Sequence, residues 1–296
     1  MSWKDLPSRE LLLRGNASCA GCGSTLALRW VLKVLGEKIV LIIPAGCGGV
    51  YQGIFPQSSI NVMTINSSFG SQASLMSGLR AAFDVKDREG TIVCWAGDGA
   101  TADIGLNALS SAAERNEDLI YLCYDNEAYM NTGVQRSSLT PLGAKTTTTP
   151  KGKVEFKKNM PLIMADHEIP YVATVSVGYP DDFTKKLEKA KEMEGFRYIH
   201  ILSPCPPGWE YESDKTVEVS RLAVKSGAWP LYEVEGGITG GKLEINRAGG
   251  DVSLKEYLDS QGRFEGLSNE KIKRFEKQVQ DQLEYLKLLE NRHAGD

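Results

Sequence analysis

Four cysteines in this chain sit where packing gives no reason for them. Cys19 and Cys22 form a C-x-x-C in CAGCG, Cys47 lies in AGCGG just after an aliphatic run, and Cys205 lies in SPCPPGW. Gly, Pro and Ser dominate all of these segments, so the thiols belong to loops. Four thiolates gathered from loops can bind a tetrahedral Zn²⁺ or a [4Fe–4S] cluster. A C-x-x-C redox disulfide is a third option, but it leaves Cys47 and Cys205 without a task. Cys94 in TIVCWA and Cys123 in LIYLCY are different in kind. They lie inside apolar runs and read as small buried hydrophobes.

A second constellation is built from oxygen. Gly97-Asp98-Gly99 follows one apolar run, and Asn126, Ala128 and Asn131 follow the next. Gly97 and Gly99 leave room for close backbone approach, which a diphosphate needs. The helix expected to open at Ala100 offers free N–H groups and a positive dipole end to phosphate oxygens. Asp98 is a hard carboxylate suited to Mg²⁺, and the Asn126 amide oxygen can reach the same ion. The tripeptide by itself also fits an ordinary strand-to-helix turn. The strand before it, the helix after it and the later Asn favour the diphosphate reading.

The elements that must position these residues alternate along the chain. Strands are expected at 39–43, 61–65, 91–96, 119–124, 171–177, 197–202 and 231–235, and helices at 24–35, 70–83, 102–115, 181–193 and 215–226. In the third helix Ile104, Ala108, Leu109 and Ala112 are expected to share one face. Such alternation predicts an α/β fold, a mostly parallel sheet with helices on both faces. Ligands then bind beyond the carboxyl ends of the strands, where the loop cysteines and Gly-Asp-Gly fall. Residues 132–162, including the run Thr146 to Thr149, lack any period, and a loop so long is expected to be functional or an interface. We expect a main α/β domain over 1–253 and a C-terminal helical extension over 254–296, where Phe275, Val279, Leu283 and Leu286 have helical spacing.

Composition narrows the class. The chain has 296 residues, 42% of them hydrophobic, and 34 Lys+Arg against 38 Asp+Glu give a net charge of −4. That excludes a broad footprint for nucleic acid. The longest aliphatic run, Ile39 to Ile43, is far short of a membrane span, and MSWKDLPSRELLLRG does not read as a signal peptide. A soluble cytoplasmic protein is expected. The three histidines suggest no rival site. His200 lies in a strand pattern and reads as a core or edge residue, while His167 and His293 have polar surroundings and are expected in solvent. Tyr129 follows the Asn126 segment and could line the site or simply pack.

The motifs together carry a resemblance. The interval from Gly-Asp-Gly to Asn126 resembles the thiamine diphosphate motif. CAGCG, AGCG, GDGATADIG, DNEAYMNTG, TTTTPKG and SPCPPGW, in this order over about residues 14–236, resemble the β subunit of pyruvate:ferredoxin and related 2-oxoacid:ferredoxin oxidoreductases. The resemblance implies a thiamine diphosphate-binding fold, with Asp98, Asn126 and the Ala128 carbonyl as Mg²⁺ ligands. Cys47, Gly97, Gly99, Ala100 and Asn131 would line the cofactor, with Asn131 near its reactive end. Cys19, Cys22, Cys47 and Cys205 would hold a [4Fe–4S] cluster. It further implies oxidative decarboxylation of a 2-oxoacid, pyruvate being the expected substrate, to acyl-CoA and CO₂, with electrons passing to ferredoxin. 2-Oxoisovalerate, phenylglyoxylate and oxalate are the alternative substrates. A non-redox thiamine decarboxylase and a zinc-stabilised binding module are the alternative classes.

Six thiols allow one four-cysteine cluster, so further electron carriers must lie on other chains. Expected partners are an α subunit that completes the thiamine and 2-oxoacid site, ferredoxin-like and γ-type subunits, ferredoxin and coenzyme A. The isolated chain is expected to be catalytically silent. One residue departs from the family pattern: where close relatives often carry Glu two positions after the second cysteine, this chain has Ser24.

Overall fold

The computed structural model describes residues 2–293, apart from the side chain of His293. The expectation that His293 faces solvent therefore lies outside the described residues. Eight strands form one sheet: β1 (Ile39–Pro44), β2 (Met63–Ser67), β3 (Thr91–Gly97), β4 (Leu119–Asp125), β5 (Tyr171–Ser176), β6 (Phe196–Leu202), β7 (Leu231–Glu235) and β8 (Lys242–Arg247). Their order is β2-β1-β3-β4-β6-β5-β7-β8. The six from β2 to β5 are parallel, and β7 and β8 add an antiparallel edge. The helices are α1 (Gly23–Leu35), α2 (Cys47–Gln52), α3 (Gln72–Val85), α4 (Leu106–Glu114), α5 (Met160–Ala165), α6 (Pro180–Glu192), α7 (Pro206–Trp209), α8 (Thr216–Lys225), α9 (Leu254–Asp259) and α10 (Asn269–His293).

The pleat distributes each strand between two cores. Along β3, Val93 and Trp95 point to one face, with Leu28, Leu32 and Phe183 from α1 and α6. Ile92, Cys94 and Ala96 point to the other, with Met76, Leu109 and Met164 from α3, α4 and α5. Each fully buried aliphatic side chain in these layers contributes roughly 1.5–3 kcal/mol. β1 and β4 are buried on both faces, as expected of parallel strands covered by helices. Cys94 and Cys123 are wholly buried, as their runs predicted.

Three expectations are corrected. The helix expected over 102–115 begins instead with a π-helical turn at Ala100–Ile104, and α4 starts at Leu106. The extra residue in that turn rotates Ile104 out of register with Leu109 and Ala112, so it is exposed against Gly70. β8 was not foreseen: KLEINR alternates mostly charged and half-exposed residues on a sheet edge, where the periodic signal is weak. His167 is half-buried rather than free in solvent, with Nε2 2.7 Å from Ser110 Oγ and Nδ1 2.8 Å from the Ile163 carbonyl.

The helical tail lies on its own sheet. α10 packs on β8 and buries Leu286 beside Leu243, while Phe275 and Val279 are buried with residues of α8 and α9 and Leu283 is half-covered beside them. The chain moves outward from β1 to β2 and then returns to the other side of β1 at β3. This reversal is the topological switch point at which α/β sheets open a ligand crevice.

Candidate functional site

Adjacent strands β1, β3, β4 and β6 deliver Cys47, Asp98, Asn126 and Cys205 to the same end of the sheet. A cleft of ≈ 310 Å³ runs along the switch point, lined by Cys47, Gly97, Asp98, Gly99, Ala100, Asn126, Ala128 and Asn131. The residues expected to hold a diphosphate and its metal thus share one cleft. Asp98 is buried, and Ser137 Oγ donates to its Oδ2 at 2.5 Å. Burial pushes the Asp98 carboxyl well above the ordinary range, and nearby Asp125 adds to the effect.

Asn126, Asp98 and the Ala128 carbonyl meet at one point: the Asn126 amide nitrogen donates to Asp98 Oδ1 at 3.1 Å and to the Ala128 carbonyl oxygen at 2.8 Å. This donor set, carboxylate, amide and carbonyl oxygen, fits Mg²⁺.

The two glycines have a structural reason that sequence did not indicate. A Cβ on Gly99 would stand 2.2 Å from the Tyr129 ring, and one on Gly97 would stand 3.3 Å from the Tyr124 ring. The aromatic rings therefore occupy the space that the missing side chains leave. Tyr129 also lines the cleft and donates from Oη to Asp103 at 2.6 Å, so it both packs and lines.

A second cavity of ≈ 220 Å³ is lined by Cys19, Cys22, Cys47 and Cys205. The loops that carry them are tied together by backbone. Gly23 N–H donates to the Pro204 carbonyl at 3.1 Å, and a Cβ on Gly23 would stand only 2.7 Å from that oxygen. Among the described residues, no three Cys, His, Asp or Glu side chains converge on one point suited to a single metal ion. Burial raises the Cys47 thiol to about 12, with the neighbouring cysteines and Asp98 adding to it. Burial likewise raises Cys205 to about 12, against the Gly208 N–H. Without added positive charge these thiols stay protonated, and a coordinated metal would supply that charge.

Cleft and cavity share a wall of Cys47, Asn126, Met130 and Asn131. Beneath that wall lies a buried charge network that sequence reading missed. Lys157 Nζ bridges Asp125 Oδ2 at 2.6 Å and Glu127 Oε1 at 2.7 Å. Arg263 Nη2 reaches Glu127 Oε2 at 2.6 Å, and its guanidinium lies 3.7 Å over the Trp209 ring. Trp209 Nε1 in turn donates to the Asn126 carbonyl at 2.8 Å. His200 Nε2 lies 2.8 Å from Asp125 Oδ2 in the centre of the sheet. Burial holds His200 below its ordinary pKa. Burial would raise Asp125, but Lys157 and His200 outweigh it and hold the carboxylate low. Lys157 comes from the periodless 132–162 stretch, and Arg263 comes from the expected C-terminal extension. Neither residue type nor spacing marks them, because a charge in a loop ordinarily reads as solvated.

The family model for the C-terminal TPP binding domain of thiamine pyrophosphate enzymes matches residues 45–201. The pyruvate synthase subunit PorB of Methanothermobacter thermautotrophicus is 46% identical over 292 residues, covering 96% of this chain and 99% of that protein. The chain belongs to the β subunits of the 2-oxoacid:ferredoxin oxidoreductases. The ketoisovalerate oxidoreductase subunit VorB of Pyrococcus abyssi is 45% identical, covering 96% of this chain and 94% of its own length. A solved 2-oxoglutarate:ferredoxin oxidoreductase from Magnetococcus marinus shares the fold, with a TM-score of 0.58 at 24% identity over 75% of this chain and 80% of that one. This β subunit therefore carries a thiamine pyrophosphate domain and is one part of an oxidoreductase. Among its described residues, no helix is long and apolar enough to cross a membrane.

Proposed function

We propose that this β subunit binds thiamine diphosphate with Mg²⁺ in the cleft and a [4Fe–4S] cluster in the cysteine cavity, and that its complex oxidises pyruvate to acetyl-CoA and CO₂. The observation that carries the reading is the shared wall: Cys47 and Asn131 face both spaces at once. Two redox partners separated by one layer of side chains need no further relay between them.

Asp98, Asn126 and the Ala128 carbonyl would hold Mg²⁺, and Ser137 keeps the Asp98 carboxylate turned toward it. When bound, thiamine diphosphate supplies the nucleophilic ring carbon and the electron sink for decarboxylation. This chain's residues would fix the diphosphate end. An α subunit would add the activating carboxylate and much of the 2-oxoacid pocket. Ferredoxin-like and γ-type subunits would carry electrons to ferredoxin, and coenzyme A would take the acyl group.

The test is iron, sulfide, zinc and thiamine diphosphate content of the native complex purified without oxygen. Four irons and four sulfides per copy of this chain beyond those of its partners, with one thiamine diphosphate, support the reading. Zinc without thiamine overturns it. The VorB relative, of nearly equal identity, favours 2-oxoisovalerate as a second substrate reading. The 2-oxoacid with the higher kcat/KM for bleaching the cluster absorbance decides between them. The purified chain alone is expected to turn over neither.

A further inference from the structure

Of the four loop cysteines, Cys47 faces both the cleft and the cavity, and its helix is fastened to the sheet. Cys47 opens α2, whose cap position is Gly46, a residue with no side chain to receive the helix's free N–H groups. Tyr124 Oη supplies the acceptor instead, taking the Gly48 N–H at 3.1 Å. One turn later the Tyr51 hydroxyl accepts from the Trp95 indole, which can only donate. The short helix is therefore held at both ends by side chains that rise from the strands beneath it.

Those two side chains are a pair. The Tyr124 and Trp95 rings stack with centroids 5.0 Å apart and planes at 29°. Tyr124, Tyr51 and Trp95 are all buried, so both ties are sealed from solvent. Glycines let the neighbouring loops lie on the rings. Gly97 is the register partner of Tyr124 across β3 and β4, and it leaves the face of that ring clear. On the other side, a Cβ on Gly46 would stand 3.3 Å from the Tyr124 hydroxyl, and one on Gly48 would stand 3.3 Å from the Trp95 ring. The same two rings thus pack against AGCGG and against Gly-Asp-Gly. They also stand on the strands that lead to the oxygen donors: Trp95 on β3 before Asp98, and Tyr124 on β4 before Asn126.

We propose that the stacked Trp95–Tyr124 pair is the spacer that fixes Cys47 against Asp98 and Asn126, and so sets how readily electrons cross the wall between cleft and cavity. This rests on the thiamine and [4Fe–4S] reading above. A close-packed aromatic pair yields little, whereas a glycine-rich loop without such a support can drift. Small displacements matter at such a wall, since a misplacement of about 1 Å can cost about 10²-fold in a rate. Trp95, Tyr124 and Tyr51 are positioning residues in this scheme: they act through the place they give Cys47.

The experiment uses the intact complex purified without oxygen. Tyr124→Phe keeps the stacked ring and removes only the acceptor, while Tyr51→Phe removes the other tie. Hydrogen exchange of peptides spanning 45–52, read by mass spectrometry, reports the fastening without reference to either cofactor. Tyr124→Phe is expected to speed that exchange about tenfold, as the loss of a buried hydrogen bond does. Unchanged exchange would show that the tie holds nothing and refute the spacer. Stopped-flow single turnover with the preferred 2-oxoacid then follows CO₂ release and cluster bleaching in parallel. Bleaching is expected to slow about tenfold in the double variant and less in either single one, with CO₂ release slowed far less. Faster exchange with unslowed bleaching, at full iron and sulfide, overturns the spacer and leaves the cofactor reading standing. Equal slowing of both steps also overturns it, because a general loss of structure would do the same. An unmutated complex without iron beyond that of its partners overturns the cofactor reading itself, and the spacer's role with it. If Tyr124→Phe loses its iron, Tyr51→Phe decides, and unslowed bleaching there overturns the spacer.

Discussion

The oxygen cleft and the sulfur cavity share a wall but are built in different ways. The cleft is prepared by the sheet. Asp98 and Asn126 sit at the ends of neighbouring strands, Ser137 holds Asp98, and Lys157, Glu127 and Arg263 brace the loop below. The cavity is gathered from three separate loops joined chiefly by the Gly23 to Pro204 backbone bond. Its thiols repel one another's ionisation, and Cys19 is exposed. On the proposed reading, a hard cation with a diphosphate would meet a preformed donor set, while the sulfur site would depend on its own ligand for final order. The difference teaches where a variant acts: on binding alone in the cleft, on local structure as well in the cavity.

The sharpest break of that comparison is Asp98→Ala. It is expected to weaken thiamine diphosphate binding beyond the 10–100-fold that outer-shell changes cost at metal sites. Iron content stays unchanged, as calorimetry and iron analysis of the complex would check. Cys205→Ser is next. It is expected to remove the cluster and make the 203–209 loop more sensitive to protease, with thiamine diphosphate affinity changed less than tenfold. If thiamine binding collapses as well, the two spaces form one unit and the comparison is wrong.

Arg263→Met sharpens it from below. Removing one partner of a buried ion pair leaves Glu127 short of a cation and costs about 3–5 kcal/mol. Denaturant midpoints would report that loss, and the cleft is expected to weaken before the cavity does.

The smallest effect is that of pH on the same network. His200 is held neutral by burial, so the unfolded chain takes up its proton first, and stability declines as pH falls below about 6.5. Asp125, held low, contributes stability that is complete above about 3.9 and lost as pH falls through its lower folded value. Each group changes stability by at most about 1.4 kcal/mol per pH unit. Thermal melts between about pH 8 and 2 would check both signs, and His200→Gln should flatten the upper part.

Much of this architecture was legible because parallel strands buried on both faces announce themselves as apolar runs. The seven expected strands and the loops after them led directly to Cys47, Asp98, Asn126 and Cys205. What sequence hid was polar. Ser137, Lys157 and Arg263 look like solvated loop residues until the fold buries them, and Glu127 looks like any turn carboxylate. α2 and α7 were hidden too, since each is a short turn inside a Gly- or Pro-rich loop. The phase of Ile104 failed because a π-helical turn breaks the periodicity on which the reading depends.

The strand order also dictates a sequence of events during synthesis. β6 lies between β4 and β5, although β5 is made first. The growing chain must therefore hold β5 without its parallel neighbour until Phe196–Leu202 has left the ribosome. The fourth thiol emerges immediately afterwards, and the arginine that braces the metal loop emerges later still. On the proposed reading, neither pocket has all its ligands and braces until this late part of the chain has been made. The order in which the two pockets are completed is set by the topology of the sheet.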